Sequence, residues 1–271
     1  MGFVLREAQL PILPIGKEDI RVLHFSDLHL TPSRRREIKA IKSFIDLAPD
    51  FIISTGDFLA HPDAVPIALE ALDELLDLPG VFVFGSNDYF APKIKNPLSY
   101  LTADKGKRIH GEPLPSHELA AGLAARGWRN VNFSRTLLTI KSTNIEVRGT
   151  DDAHLNRDEY SMVAGIPDSV SDIAIGVTHA PYLRILDAMK SDGLDAIFAG
   201  HTHGGQVRLP WLGGSRALTT NCDLPTWRAR GVTRFAQDPW LNVSAGMGTS
   251  PYSPWRLASP PEVSLITLTT N

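Results

Sequence analysis

The sequence has almost no cysteine: Cys222 is the single one among 271 residues, so no disulfide can form within the chain. No stretch approaches 18 uninterrupted apolar residues, so no membrane span is expected. Residues 1–23 lack the continuous apolar core of a secretory signal. The formal net charge is only −3, which gives no electrostatic reason to expect a nucleic-acid partner. A cytoplasmic location is the default expectation.

Short apolar runs alternate with stretches in which apolar residues recur at helical spacing, as over 38–45, 68–76, 118–125 and 183–189. This alternation is typical of an α/β fold in which helices connect parallel strands. The predicted strands are Arg21–Ser26, Phe51–Ser54, Val81–Phe84, Ile173–Thr178, Ala196–Ala199, Leu241–Ser244 and Val263–Leu268, with others within 132–148.

The chain contains no low-complexity linker and no internal repeat, so residues 1–271 are expected to form one domain. The segment 91–117 breaks the pattern because it is rich in Pro, Lys and Gly. Since it follows one of the polar loops, we interpret it as an excursion that could cap a substrate. A solvated surface loop is an equal alternative.

Metal-binding side chains follow each predicted core strand. In open α/β sheets, ligands bind at the carboxyl ends of the strands, so these loops converge if the strands are parallel neighbours. Carboxylate, imidazole and amide oxygen ligands suit Mn²⁺, Fe or Zn²⁺. The candidate ligands, in chain order, are Asp27, His29, Asp57, Asn87, His179, His201 and His203.

Each of these short motifs is weak when it stands alone, because Asp, Gly and His are common in turns and caps. His201 and His203 could also belong to a structural site for a single zinc ion. Five such motifs in order, each directly after a core strand, favour a centre with two metal ions over either alternative.

The order Asp-x-His, Gly-Asp, Gly-Ser-Asn, His and Gly-His-Thr-His, from Asp27 to His203, resembles the calcineurin-like metallophosphoesterase superfamily. The phrase GHTHGGQVRLPWLGG at 200–214, the pair Asp151-Asp152 and SAGMGTS followed by PEVSLITL are similar to one branch. That branch contains bacterial phosphodiesterases and UDP-2,3-diacylglucosamine pyrophosphohydrolase-like enzymes. The resemblance implies a four-layer α-β-β-α sandwich of two mixed sheets flanked by helices.

The resemblance also implies two divalent metal ions, Mn²⁺ first and Fe or Zn²⁺ as alternatives. A hydroxide bridging the ions would attack a phosphodiester or pyrophosphate bond in a small-molecule or lipid-linked substrate. A catalytically weak or inactive metal-binding scaffold of the same fold is the alternative. By this resemblance, Asp27, His29 and His203 would hold one metal, Asn87, His179 and His201 the other, and Asp57 would bridge both.

One loop departs from the family pattern, which has Gly-Asn-His followed by Asp or Glu. Here the loop is Gly85-Ser86-Asn87-Asp88-Tyr89, and the histidine expected near the leaving group is missing. We interpret Asn87 as the metal ligand and Asp88 as a candidate general acid, which would need a raised pKa. His110 or His154 could act instead. A nucleotide or pyrophosphate leaving group departs as a stable anion and would need no acid.

Two groups of residues outside these motifs are weaker candidates. Arg256 could contact phosphate. Trp211, Trp227 and Trp255, which lie among Pro and Gly, could form an apolar rim for a lipid-like substrate, although aromatic residues more often pack beneath loops.

Overall fold

Two large mixed sheets form the centre of the fold in the computed structural model, which describes residues 2–93, 111–211 and 214–270. In chain order the strands are β1 Val4–Leu13, β2 Ile20–Phe25, β3 Phe51–Ser54, β4 Gly80–Phe82, β5 Arg129–Asn130, β6 Ser134–Ile140, β7 Thr143–Gly149, β8 Ile173–Thr178, β9 Ala196–Ala199, β10 Arg208–Trp211, β11 Gly214–Ala217, β12 Gly231–Arg234, β13 Trp240–Val243 and β14 Glu262–Thr270. The α-helices are α1 Arg35–Lys42, α2 Val65–Leu72, α3 Ser86–Tyr89, α4 Ser116–Ala125 and α5 Leu183–Ser191.

The strand order is β1-β14-β2-β3-β4-β5 in the first sheet and β12-β13-β9-β8-β7-β6 in the second. Strands β2 to β5 are parallel, as are β7, β8, β9 and β13. β10 and β11 form a separate antiparallel hairpin. The parallel cores explain why the sequence has continuous apolar runs here, since strands buried on both faces have no polar side to alternate with.

Three apolar clusters separate four layers. Residues such as Val22, Ile53, Val177 and Phe198 fill the space between the two sheets. Helices α1, α2 and α4 cover the outer face of the first sheet through a second cluster, and α5 covers the second sheet through a third. The predicted α-β-β-α sandwich is therefore confirmed.

The N-terminal strand was not predicted. β1 pairs in parallel with β14, from Val4 opposite Glu262 to Leu10 opposite Leu268. Residues 94–110 of the predicted capping segment lie outside the described residues. Its described C-terminal part returns to the body, because Phe90 and Pro113 form a bridge and α4 begins at Ser116. Among the described residues, no helix is both long and apolar enough to cross a membrane.

Candidate metal centre

The five loops with metal-binding side chains follow β2, β3, β4, β8 and β9, the parallel strands of the two sheets. Main-chain hydrogen bonds join the first two loops to each other. The Asp27 N–H donates to the Gly56 carbonyl at 2.9 Å, and the His29 N–H donates to the Asp57 carbonyl at 2.9 Å. The carboxyl ends of the strands therefore meet at one place, as the sequence indicated.

Two groups of side chains are close enough to share a metal ion. Asp27, His29 and His203 form one, and Asp27, Asp57 and His179 form the other, with ligand atoms within 4.8 Å of one another in each. The Nε2 atoms of His29 and His203 lie 3.3 Å apart. Asp27 Oδ1 lies 3.5 Å from His203 Nε2 and 3.9 Å from His29 Nε2.

Asp57, a member of the second group, also lies close to His29 of the first. Its Oδ2 atom is 3.5 Å from His29 Nε2 and 3.6 Å from His179 Nε2. The Asn87 side-chain amide donates to the same oxygen at 2.6 Å, and the Asn87 N–H donates to Oδ1 at 2.7 Å. One carboxylate thus connects ligands from the loops after β2, β4 and β8. Asp27 is the residue that belongs to both groups.

Three buried atoms of the candidate ligands have no hydrogen-bond partner among the described residues: His29 Nδ1 and, close to other ligand atoms, Asp27 Oδ1 and His179 Nε2. A buried polar atom without a partner costs about 1–3 kcal/mol, so such atoms usually have a role. A divalent cation would satisfy the last two, and it would also explain why the Nε2 atoms of His29 and His203 face each other. The residues present therefore fit a metal centre.

Hydrogen bonds behind the imidazoles set their orientation. His179 Nδ1 lies 2.6 Å from the Thr55 carbonyl oxygen, which can only accept, so Nδ1 carries a proton and Nε2 is the nitrogen that would bind a metal after losing its own proton. Beside His203, the Arg256 guanidinium lies 3.3 Å from Nδ1 and donates to the carbonyls of Ala245 and Gly246. Arg256 is therefore engaged with backbone carbonyls around a ligand loop.

His201 is placed differently from the other predicted ligands. Its Nε2 atom lies 3.2 Å from the Asn221 carbonyl oxygen, outside the two groups described above. Its main-chain N–H donates to Asp27 Oδ2 at 3.0 Å, and its ring centroid is 5.2 Å from that of His179. The backbone of His201 thus supports Asp27, while its ring borders the second group.

Buried charges determine the protonation of this cluster. Burial lowers the pKa of His201 to about 3 and that of His203 to about 4. The pKa of His179 behaves differently: burial lowers it, but the nearby carboxylates, Asp57 first, raise it to about 9. The lowered pKa values keep His201 and His203 neutral at neutral pH, which is the form of imidazole that binds a metal.

Asp88, the candidate general acid, is buried and is not among the residues that line the cavity at the site. Its carboxylate accepts from the N–H groups of Asp57 and Gly85 at one oxygen, and from those of Phe58 and Leu59 at the other, over 2.7–3.3 Å. Burial, followed by the charge of Asp57, raises its pKa to about 8. This geometry favours a structural role over proton donation, and the acid role stays a prediction.

The backbone around the site is strained. A positive φ is uncommon for residues other than glycine and costs about 1–3 kcal/mol. The sequence signals this only weakly: Asp and His adopt a positive φ more often than most other residues with a side chain, but far less readily than Gly. A positive φ occurs at five of the seven predicted ligands: Asp27 (54°), His29 (45°), Asp57 (57°), His201 (67°) and His203 (49°).

Residues other than the seven candidate ligands also border the site. Asp151 accepts from the Tyr89 hydroxyl at 2.7 Å and from Arg157 Nε at 2.7 Å, which ties the loop after β7 to α3. The pair Asp151-Asp152 was noticed only through the family resemblance. His154 lines the cavity, and its ring centroid lies 4.4 Å from that of His201. His110 lies outside the described residues.

A cavity of about 380 Å³ opens over the centre. Ligands and candidate ligands form its floor: His29, Asp57, Asn87, His201 and His203. Its sides include Lys93, His154, Gln206, Leu218, Asn221 and Trp255. Polar, metal-capable side chains beneath partly apolar walls are typical of a pocket for a small molecule.

The fold and this carboxylate–imidazole cluster define a metal-dependent phosphoester hydrolase. The family model for calcineurin-like phosphoesterases matches residues 20–205, more than half of the chain. The chain belongs to that family. The matched region contains all seven candidate ligands.

Three curated proteins illustrate the relationship. YpbG of Bacillus subtilis is 26% identical over 257 residues, which cover 93% of this chain and 82% of that protein. The metallophosphoesterase YkoQ of Bacillus subtilis is 29% identical over 203 residues, covering 73% of this chain and 66% of that protein. The UDP-2,3-diacylglucosamine pyrophosphatase LpxG of Chlamydia trachomatis is 24% identical over 287 residues, covering 91% of this chain and 83% of that protein.

Proposed function

We propose that this chain is a phosphoesterase with two divalent metal ions that hydrolyses a phosphodiester or pyrophosphate bond. The observation that carries the proposal is the pair of buried, unpartnered ligand atoms, Asp27 Oδ1 and His179 Nε2, from two residues that share a group with Asp57. Two such ions would supply an activated water as the nucleophile and would neutralise the phosphoryl oxygens. Mn²⁺ is our first candidate, with Fe or Zn²⁺ as alternatives.

In this proposal Asp27, His29 and His203 hold one ion and Asp57 contacts both. Asn87, His179 and His201 hold the other ion. The position of Asp57 Oδ2 between His29 and His179 supports the bridging role. Binding by Asn87 requires its amide oxygen to turn toward the ion, and binding by His201 requires its Nε2 to leave the Asn221 carbonyl.

The chain's own residues prepare the reaction in three ways. The Thr55 carbonyl holds the His179 proton at Nδ1, and the Asp88 carboxylate holds the loops that carry Asp57 and Asn87. Lys93 at the cavity edge would attract an anionic substrate. Since the Asp88 side chain is occupied by main-chain donors, we propose a substrate whose leaving group departs as a stable anion.

A small-molecule or lipid-linked phosphate is the substrate class that we propose. The cavity volume and its partly apolar walls support this class. A second support is LpxG, which aligns with 91% of this chain and is named for UDP-2,3-diacylglucosamine, an acylated sugar linked to a nucleotide. We propose a single domain over residues 1–271. A reducing compartment such as the cytoplasm is proposed from the single cysteine alone.

Hydrolysis of bis-p-nitrophenyl phosphate tests the proposal. Metal-stripped protein should be inactive and should recover turnover when Mn²⁺ is added. His201→Ala should lower kcat at least about a hundredfold, since it removes a proposed ligand. His117→Ala is the matched control, because His117 is exposed on α4. Turnover without metal, or an unaffected His201→Ala variant, would overturn the proposal. Two bound metals without turnover would favour the scaffold alternative.

A further inference from the structure

Large apolar side chains are exposed in one part of the chain. Twelve such residues are exposed in the described ranges, and six of them fall between residues 209 and 257. Single exposed apolar residues are common on protein surfaces, so only their concentration is informative. We refer to the six as the apolar rim: Leu209, Leu218, Trp227, Tyr252, Trp255 and Leu257.

Hydrogen bonds to residues 206 and 207 bring four of the six rim residues together. The Leu218 N–H donates to the Val207 carbonyl at 3.1 Å, and the Leu257 N–H donates to the Gln206 carbonyl at 3.0 Å. Leu218 and Leu257 therefore flank the same short segment on opposite sides. The Gln206 side-chain amide donates to the Ser253 carbonyl at 2.8 Å, which holds the stretch with Tyr252 and Trp255 against it.

The rim is continuous with the mouth of the cavity over the metal centre. Leu218 and Trp255 line that cavity, together with Val207 between them. Trp255 is 66% exposed and Leu257 is 57% exposed, so both project well beyond the protein surface. Any surface that contacts the rim would therefore also face the entrance of the cavity.

The charge of this region differs from that of the rest of the chain. Residues 206–257 contain six arginines and two aspartates, whereas the whole chain has a net charge of −3. Arg208 is buried, Arg256 is bound to main-chain carbonyls and Arg234 pairs with Asp238. Arg216, opposite Leu209 in the β10–β11 pair, and Arg228 lie beside rim residues. The Arg228 guanidinium lies over the Trp227 ring, 4.3 Å from its centroid. Exposed Trp, Tyr and Leu beside arginine are the combination that inserts into the interface of an anionic lipid layer.

We propose that the apolar rim docks this protein on an anionic lipid surface, with the cavity mouth facing the lipid. Charge complementarity and continuity with the cavity select this occupant, because an apolar partner protein would not require the excess of arginine. Docking goes beyond the proposed function and does not depend on it, since lipid binding needs no turnover. Its consequence for the site is access to phosphates carried by membrane lipids.

Sedimentation with vesicles tests the proposal. The full-length protein should sediment with vesicles of phosphatidylcholine mixed with phosphatidylglycerol and stay in solution with phosphatidylcholine alone. Raising the salt concentration should weaken binding, because the arginines act through screened charges. The double variant Trp255→Ser, Leu257→Ser should bind the anionic vesicles at least about tenfold more weakly, because it removes two inserting side chains.

Ile166→Ser, Val170→Ser is the matched control, since these residues are 81% and 56% exposed but lie outside the rim. It should bind as the unmodified protein does. Circular dichroism of each variant checks the fold, and Leu218→Ser provides a second rim variant if the double variant misfolds. No sedimentation with anionic vesicles, or equal losses in the rim and control variants, would overturn the proposal. Hydrolysis of bis-p-nitrophenyl phosphate, a soluble substrate, reports on the proposed function separately.

Discussion

Replacing Asp88 by alanine is the most informative single change, because this carboxylate joins two loops of the metal centre without lining the cavity. Its two oxygens accept four main-chain N–H groups, from Asp57, Gly85, Phe58 and Leu59. Alanine leaves all four donors buried without a partner. The loops that carry Asp57 and Asn87 would lose their common anchor.

The magnitude follows from the number of donors. Three of the four hydrogen bonds are 2.7–2.9 Å long and the fourth is 3.3 Å. Each unsatisfied buried donor costs about 1–3 kcal/mol, and partial relaxation brings the sum to about 4 kcal/mol or more. This is a large fraction of the roughly 5–15 kcal/mol that stabilises a typical folded protein.

Urea unfolding followed by tryptophan fluorescence measures this loss. Asp187→Ala is the control, since Asp187 is exposed on α5, and it should change the unfolding free energy by no more than about 0.5 kcal/mol. A loss below about 1 kcal/mol for Asp88→Ala would refute the anchoring role.

Asp88→Asn separates anchoring from proton donation. If Asp88 only anchors the loops, kcat should fall by similar factors on substrates with good and with poor leaving groups. A loss confined to substrates with poor leaving groups would instead establish Asp88 as the general acid.

Three other changes have defined outcomes. Gly85→Ala should weaken metal binding at least about tenfold, since a Cβ at Gly85 would meet the Asp57 carboxylate and the His179 ring. Calorimetric titration with Mn²⁺ measures the affinity, and an unchanged affinity would contradict this prediction. Arg256→Met should lower the unfolding free energy by about 2–3 kcal/mol, because it leaves the carbonyls of Ala245 and Gly246 without their donor. Urea unfolding that shows the stability of the wild type would be inconsistent with a stabilising role for Arg256. Adding Mn²⁺ at about 100 times its Kd to metal-stripped protein should raise the unfolding free energy by about 2.7 kcal/mol, and a Tm that does not move in a thermal scan would argue against a metal centre.

The core strands and the loops of the centre could be predicted because both depend on local sequence. Phe51–Ser54 and Ile173–Thr178 are mostly apolar runs, and Asp57 and His179 follow them within three residues. A strand buried on both faces has mostly apolar side chains, so the change to Asp or His indicates that the strand has ended. The predicted strands accordingly have the same bounds as β3, β8 and β9.

The features that were missed depend on contacts distant in sequence. β1 contains Pro11 and lies at the edge of its sheet, and it is a strand because it pairs with β14 some 258 residues later. The left-handed backbone at Asp27 and His29 is likewise imposed by the neighbouring loops. Asp88 looked like part of a degenerate catalytic motif until the fold showed which N–H groups surround it.

Metal content tests the central claim most directly. Protein saturated with Mn²⁺, freed of excess ion and analysed by elemental mass spectrometry should contain two ions per chain, and Asp57→Asn should contain fewer. A control variant, Asp187→Asn, should retain both ions. One ion per chain, or two ions that remain when Asp57 is changed to asparagine, would contradict a dinuclear centre joined by this carboxylate.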